Sequence, residues 1–577
     1  MKIFIKSFTS LSFPLFLKPF SSLSFPRKWE SILIAFVILF FLIPDSNSQI
    51  KLNVKASLSN TFRYGSGYEF RDGENRSKEY LEDLGDARLN INDIVFGMRY
   101  EISDPIEYGR NFKGIRKRFV EYTGSDIVKA RVGDFWEVIS RGMSLNTFEQ
   151  RPLGYDTGID GLRVSFQKTF GKQKPVKTRA QIIGGNIEYS DNLSPQRIEE
   201  YKIRNINAEV SPLKFLTIGT NYVHAIGKIP SAGDTTGIRA DIPEVYMNFN
   251  LGGVQLYGSY VHKTTLVDPN TIYPMAMTAK GDAFYSSLSY SRPGLGITFE
   301  YKNYRFDVVT PDNQSSQRAT RMLPFQNPPT AIKEHSWTLV SRNPHVTDFN
   351  DEVGAQLEIM IVPNDQMSIL LNSSVASKHY KYINTGTGGK IIYTREDRSS
   401  SFLPAFQSEF NPWLELYLEV ENYFSKKFYA KVAASRQNSV TFTYPKTTEK
   451  LLTTTIPVEL KYEFIKDYTI KLISEQQWQY NSLRFEDKQN FYNQFVSLSF
   501  IKSPDLSVTL NSEFTTDEEE ATGKKSWFQG EVSYNINTAN VVTVSYGSER
   551  GGIRCTSGIC RYVNPFDGFR ITIQSKF

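Results

Sequence analysis

Between Ile50 and Tyr64 the even positions read Ile50, Leu52, Val54, Ala56, Leu58, Asn60, Phe62 and Tyr64, and the odd ones Lys51, Asn53, Lys55, Ser57, Ser59, Thr61 and Arg63. Successive strand side chains point to opposite faces, so this stretch is a long strand with one apolar and one polar side. The pattern returns along the chain, for example at Val245/Met247/Phe249/Leu251, Ile297/Phe299/Tyr301, Ala355/Leu357/Ile359/Ile361, Ile456/Val458/Leu460/Tyr462/Phe464 and Val542/Val544/Tyr546. A β-sandwich strand is usually about 5–6 residues long, and these are longer. A solenoid would show a fixed repeat, and none is found. Strands of about 9–11 residues or more are what a lipid-spanning barrel requires.

Connections alternate in kind. Short ones, such as Gly252-Gly253, Arg292-Pro-Gly294, Lys466-Asp467 and Asn537-Thr-Ala-Asn540, are built of turn residues. Long ones, such as Arg305–Asp351, Thr515–Lys525 and Glu549–Asp567, are polar. Short turns on one side and long loops on the other are the habit of outer-membrane barrels. At roughly 44 residues per hairpin, the chain after Ser48 holds about 24 strands, within a range of about 20–26. The expected fold is all-β: a transmembrane antiparallel barrel with short periplasmic turns and long extracellular loops. Its alternation slips within Ala87–Gly161, where Leu89 and Ile91 are odd but Ile94, Phe96, Met98 and Tyr100 are even; a β-bulge is the expected cause.

Residues 1–48 read as a leader. Arg27-Lys28 precedes the apolar run Ile32–Ile43, Pro44 breaks it, and Ser46-Asn47-Ser48 supplies small residues before Gln49. Residues 27–48 are the expected signal proper, and 49–577 the barrel. The apolar run is too short for a stable membrane helix. Upstream, Ser10-Leu-Ser-Phe-Pro14 recurs as Ser22-Leu-Ser-Phe-Pro26 without a role in export. About half of the net charge of +6 sits in this leader, which leaves no basic balance for binding nucleic acid.

Three blocks depart from the barrel pattern. Arg141, Glu149, Arg151, Asp156, Asp160 and Arg163 cannot face lipid, where a cation at mid-depth costs about 2–4 kcal/mol. They are expected to face the lumen, as a constriction or substrate site or as a salt-bridge network bracing the wall. In the longest loop, Glu334, His335, Trp337, Arg342 and His345 form a dense block. Loops of this length are functional or disordered, and Trp337 argues for order. The spacing of His335 and His345 is no metal motif, and no metal is assigned. Cys555 and Cys560, the only two cysteines, are expected to close a small loop in an exported chain.

The C-terminus, Gly568–Phe577, places Phe569, Ile571, Ile573 and Phe577 on one face and ends on the aromatic. It resembles the assembly signal of bacterial outer-membrane barrels, which implies recognition by the barrel-assembly machinery. With the Arg141–Arg163 and Pro328–Gly354 blocks and the Gly551–Phe577 end, the chain resembles an uncharacterised family of large Gram-negative outer-membrane β-barrel proteins. That resemblance implies the barrel fold and the outer membrane, and it brings no activity.

The expected function is a pore or transporter for solutes, porin-like; the alternative is a surface or secretion-complex scaffold without channel activity. The first strand follows Gln49 directly, leaving no room for an N-terminal plug, so inward loops or a partner should narrow the lumen. No nucleophile elbow with partners and no HExxH is present, so no enzyme and no cofactor are expected. Expected partners are outer-membrane lipid, the assembly machinery and a periplasmic or surface protein.

Overall fold

The computed structural model describes residues 53–577 except 191–197, 232–233, 270–274, 307–322, 391, 399–400, 444–446 and 557–558. The leader reading, residues 1–48, and the start of the first strand at Ile50 lie outside the described residues.

Alternating sequence becomes alternating exposure. Twenty-four antiparallel strands, from Val54–Arg71 to Phe566–Lys576, form one sheet. The sheet closes because the last strand pairs both with Asn540–Glu549 and with the first, in a register running from Ser59↔Lys576 to Glu69↔Phe566. Closure leaves no unpaired edge, which is the condition for spanning lipid with strands. Among the described residues no helix is long and apolar enough to cross a membrane.

The outer face carries exposed Val54, Leu58, Val245, Met247, Phe284, Leu288, Phe299, Leu357, Leu416, Ile456, Leu498, Leu510, Val532 and Phe569. The intervening residues point into the lumen. Connections on the side of the chain termini are short, such as 252–253, 293–294 and 538–539, whereas those at the other end include 136–158, 306–351, 378–412 and 550–565. Phe577 is tied to the first strand by paired backbone bonds with Leu58, at 2.7 and 3.1 Å.

The phase slip after Ile91 is not a bulge. Glu74–Ile91 ends there, Asn92 turns at φ 50°, and Ile94–Ser103 pairs back from Ile91↔Ile94. A two-residue turn changes which parity faces outward, because the chain reverses across it. The bulge of this region lies further on, where Arg99 pairs with Lys117 and Tyr100 with Ile115.

Candidate functional site

A sheet closed by 24 strands encloses a lumen far wider than its own side chains can fill. Two inward segments, both rooted at the long-loop end, enter it: residues 136–158, and the described part of the long loop from Leu323 to Asn350.

The first segment folds back on itself as a knuckle. Thr147 donates its N–H to the Glu137 carbonyl at 2.9 Å and Ile139 to that of Leu145 at 3.0 Å. Gly142 turns at φ 82°, and a Cβ there would lie 2.9 Å from the Asn327 carbonyl oxygen of the second segment. The knuckle places Met143 and Leu145 at no solvent exposure. They join Ile183, Ile187, Ile203, Val223, Ile242 and Val261, which point inward from the facing strands, in one hydrophobic cluster with Leu323 and Phe325. The two segments also share hydrogen bonds: Asn146 N–H to the Phe325 carbonyl at 2.8 Å, Gln326 Nε2 to the Met143 carbonyl at 2.9 Å, and Tyr155 Oη to the Pro324 carbonyl at 2.5 Å.

Ions fasten the first segment to the wall. Arg151 reaches Glu82, Glu101 and Glu149 at 3.2–3.4 Å, and Glu149 is also held by Arg99 at 2.7 Å. Burial opposes the charge of Arg151, and Glu101, Glu82 and Glu149 overcome it, so its pKa is raised. Asp156 meets Lys117 at 2.7 Å and accepts from Trp136 Nε1 at 3.1 Å and Gly158 N–H at 2.9 Å. Burial works against its ionised form, yet Lys117 and these donors hold its pKa below the usual carboxylate value. Arg141 lies over the Tyr257 ring at 4.5 Å, with Glu300 at 4.0 Å. Two residues of the predicted block belong to the wall instead: Arg163 bridges Glu121 and Glu137 at 2.9 Å each, and Asp160 faces Asp134 in register and forms no ion pair among the described residues.

The second segment crosses to the opposite wall and is held there by polar bonds. The Glu475 carboxylate accepts the N–H groups of Thr338 and Leu339 at 2.8 and 2.7 Å. Trp337 donates from Nε1 to Tyr417 at 2.8 Å, and Lys431 lies 4.5 Å over its ring. Gln477 and Gln437 donate to the carbonyls of Leu339 and Val340 at 2.7 and 3.3 Å. Arg342 pairs with Glu513 at 2.5 Å and donates to the Gly551 carbonyl at 2.6 Å. Apolar contact here is a smaller cluster of Trp337, Val340, Tyr417 and Ala433 with Leu370 and Ile473 packed against it, and Leu339 and Val340 are fully buried. Beside the tip a cavity of about 470 Å³ is lined by Glu334, His335, Arg342, His345 and the 550–553 stretch, among others.

The two histidines go to different carboxylates, His335 to Glu415 at 2.9 Å and His345 to Glu352 at 3.0 Å. Among the described residues no group of three or more His, Cys, Asp or Glu could hold a metal. Cys560 is disulfide-bonded, and the Gly552–Thr556/Ile559–Val563 ribbon sets it opposite Cys555 in backbone register. The side chain of Cys555 lies outside the described residues.

Sequence reasoning missed the receiving residues: Glu82, Glu101, Glu415, Glu475 and Glu513, single carboxylates on the polar faces of strands. Their signal was present. An isolated acid inside a wall strand needs a cationic or N–H partner from elsewhere.

The fold and this interior define a class: a large closed β-barrel with two of its own long loops folded into the lumen. Residues 29–577 match the model of DUF6029, a family of unknown function, and the chain belongs to that family. No curated protein matches it. Among solved structures it is similar to the siderophore receptor PirA from Pseudomonas aeruginosa, at 9% identity over 91% of this chain and 80% of that one, with a TM-score of 0.42. It is also similar to the copper transporter OprC, at 8% identity over 91% and 80% with a TM-score of 0.39, and to the siderophore receptor PiuA from Acinetobacter baumannii, at 9% identity over 91% and 82% with a TM-score of 0.37. At these values the likeness carries neither ligand nor activity to the present chain.

Proposed function

We propose that the protein is an outer-membrane barrel that conducts polar solutes through a gated passage, the gate being the tip of the second segment at residues 332–345. The observation that supports this most is an asymmetry of the lumen. The half walled by strands between Val128 and Arg305 packs a large apolar cluster against the first segment, beside buried polar groups such as Asn221, Glu244 and Lys263. The half walled by strands between Trp413 and Glu549 presents Thr453, Thr455, Glu459, Gln477, Gln479, Asn493, Ser497 and Ser499 to the interior. Against that polar half stand the second segment's tip, fastened largely by hydrogen bonds, and Arg550, which reaches Asn493 at 2.9 Å and Glu513 at 3.1 Å. Water can replace such bonds at a net cost of about 0.5–1.5 kcal/mol each between neutral groups and about 1.5–3 kcal/mol where a charge takes part, whereas an apolar core has no such exchange.

Replacing 332–345 with a short Gly-Ser linker should make reconstituted liposomes swell in small sugars, while the intact protein admits them slowly. If neither protein raises permeability although both are folded in the vesicles, the scaffold alternative takes the place of this reading.

A further inference from the structure

Loop 378–412 starts at Lys378, which pairs with Asp348 of the second segment at 3.6 Å, and its described residues 401–402 lie on the outer face of the barrel wall. Tyr301 and Asn303 alternate with the lumen-facing Glu300 and Lys302, so they point outward, and both are covered by this loop. Tyr301 Oη donates to the Phe402 carbonyl at 2.8 Å and Asn303 Nδ2 to the Ser401 carbonyl at 2.9 Å. His379, fully buried, bridges Asp351 at 2.9 Å and Asn303 at 3.0 Å. Ala405 N–H reaches Ser377 Oγ at 2.8 Å, Lys378 N–H reaches the Phe410 carbonyl at 2.7 Å, and Arg398 donates to the Leu403 carbonyl.

This fixed backbone presents Phe402, Leu403 and Phe406 outward at 68, 66 and 70% exposure. Three large apolar side chains within five positions are a patch that water disfavours. They stand directly above the outer apolar surface, since Tyr301 is two residues along its strand from exposed Phe299, and Phe299 pairs with exposed Leu357. Continuity with that surface, rather than the patch alone, selects the occupant. A soluble partner would meet an edge shared with lipid, whereas lipid itself meets one unbroken apolar face. The backbone is already ordered, so insertion does not carry the entropy cost of fixing a loop.

We infer that the 401–406 stretch is a membrane anchor: Phe402, Leu403 and Phe406 enter the acyl-chain border of the leaflet at the long-loop end and widen the barrel's lipid contact on one side. The inference rests on the reading of the protein as a membrane barrel. The test uses the full chain with a nitroxide on Phe402→Cys or Phe406→Cys, reconstituted in dioleoylphosphatidylcholine vesicles. Leu418→Cys on the outer wall and Thr387→Cys on the tip of the Tyr380–Asn384/Tyr393–Asp397 ribbon serve as references. The ratio of oxygen to water-soluble nickel collisions should match that at Leu418 and exceed that at Thr387 at least about threefold, as for side chains seated at the acyl boundary. A lipid-like ratio at Leu418 with a water-like ratio at both Phe402 and Phe406 overturns the anchor and leaves the barrel reading intact. Water-like ratios at all four positions overturn both.

Discussion

The two inward segments meet in the middle of the barrel, yet they are held by different physics. The first rests on an apolar core to which Met143 and Leu145 contribute fully buried side chains, and its ion pairs to Glu82, Glu101 and Lys117 add to that core. The tip of the second has a smaller apolar cluster, around Trp337 and Val340, and rests besides on a carboxylate that accepts two backbone N–H groups, on amide side chains and on Arg342. Dispersion and hydrophobic burial are lost all at once when a core opens, whereas hydrogen bonds are exchanged for water one at a time. On the proposed reading, the first segment is filling and the tip of the second is gate.

The largest effect should come from the core. Leu145→Ala removes a fully buried side chain and should cost about 2–5 kcal/mol. Hydrogen exchange of the 137–147 amides should accelerate accordingly, with 337–342 unchanged. Acceleration confined to the second segment would reverse the assignment.

Arg151→Ala should follow. It leaves Glu82, Glu101 and Glu149 without their shared cation, at a cost of about 3 kcal/mol to the docked first segment. Trypsin cleavage within 136–158 on detergent-solubilised protein reads it, and wild-type resistance would show that the cluster braces nothing. Glu475→Gln should be milder, about 1.5–3 kcal/mol, because the amide oxygen still accepts one N–H. It should speed exchange at Thr338 and Leu339 and raise the frequency of channel opening; a change in neither would detach the tip from that carboxylate.

The smallest effect is a contrast in acid. Asp156 has a depressed pKa in the fold, so its contribution is present above the ordinary carboxylate value of about 3.9 and is lost as pH falls through the lower folded value. Asp348, near the foot of the second segment, has a raised pKa because burial outweighs Lys378 and Asp351 adds repulsion. Its ionisation therefore costs stability, and that cost disappears as pH falls through the raised value. Acid below about pH 4 should loosen the first segment and not the foot of the second. Exchange compared at two pH values, corrected for intrinsic rate, checks this, and loosening of both alike would remove the contrast.

The wall was legible because period two survives any context in which one face meets lipid and the other does not: Val54, Leu58 and Phe569 are outward as their parity requires. Membership of a large barrel family was legible from the terminal strand and the two charged blocks, and the family match agrees. The turn at Asn92-Asp93 was misread as a bulge because a hairpin without Gly or Pro shifts parity as a bulge does. The interior was less legible. Charge at Arg151 and Asp156 excludes lipid but does not say which wall receives it, since Glu82 and Glu101 stand some fifty to seventy positions earlier in the chain. The clearest unused signal was at Ile183, Ile187, Ile203, Val223, Ile242 and Val261. These are apolar on the face that should be wet, and an apolar inner face requires something apolar to cover it.

The claim that one segment fills and the other gates is tested most directly without any substitution. Amide exchange of the native protein in detergent micelles, followed by mass spectrometry over peptides covering 136–150 and 335–345, compares the two under one condition. The account predicts that the 335–345 peptide, including the N–H groups of Thr338 and Leu339, exchanges well before the 136–150 peptide. Equal protection of the two, or earlier exchange at 136–150, would contradict it.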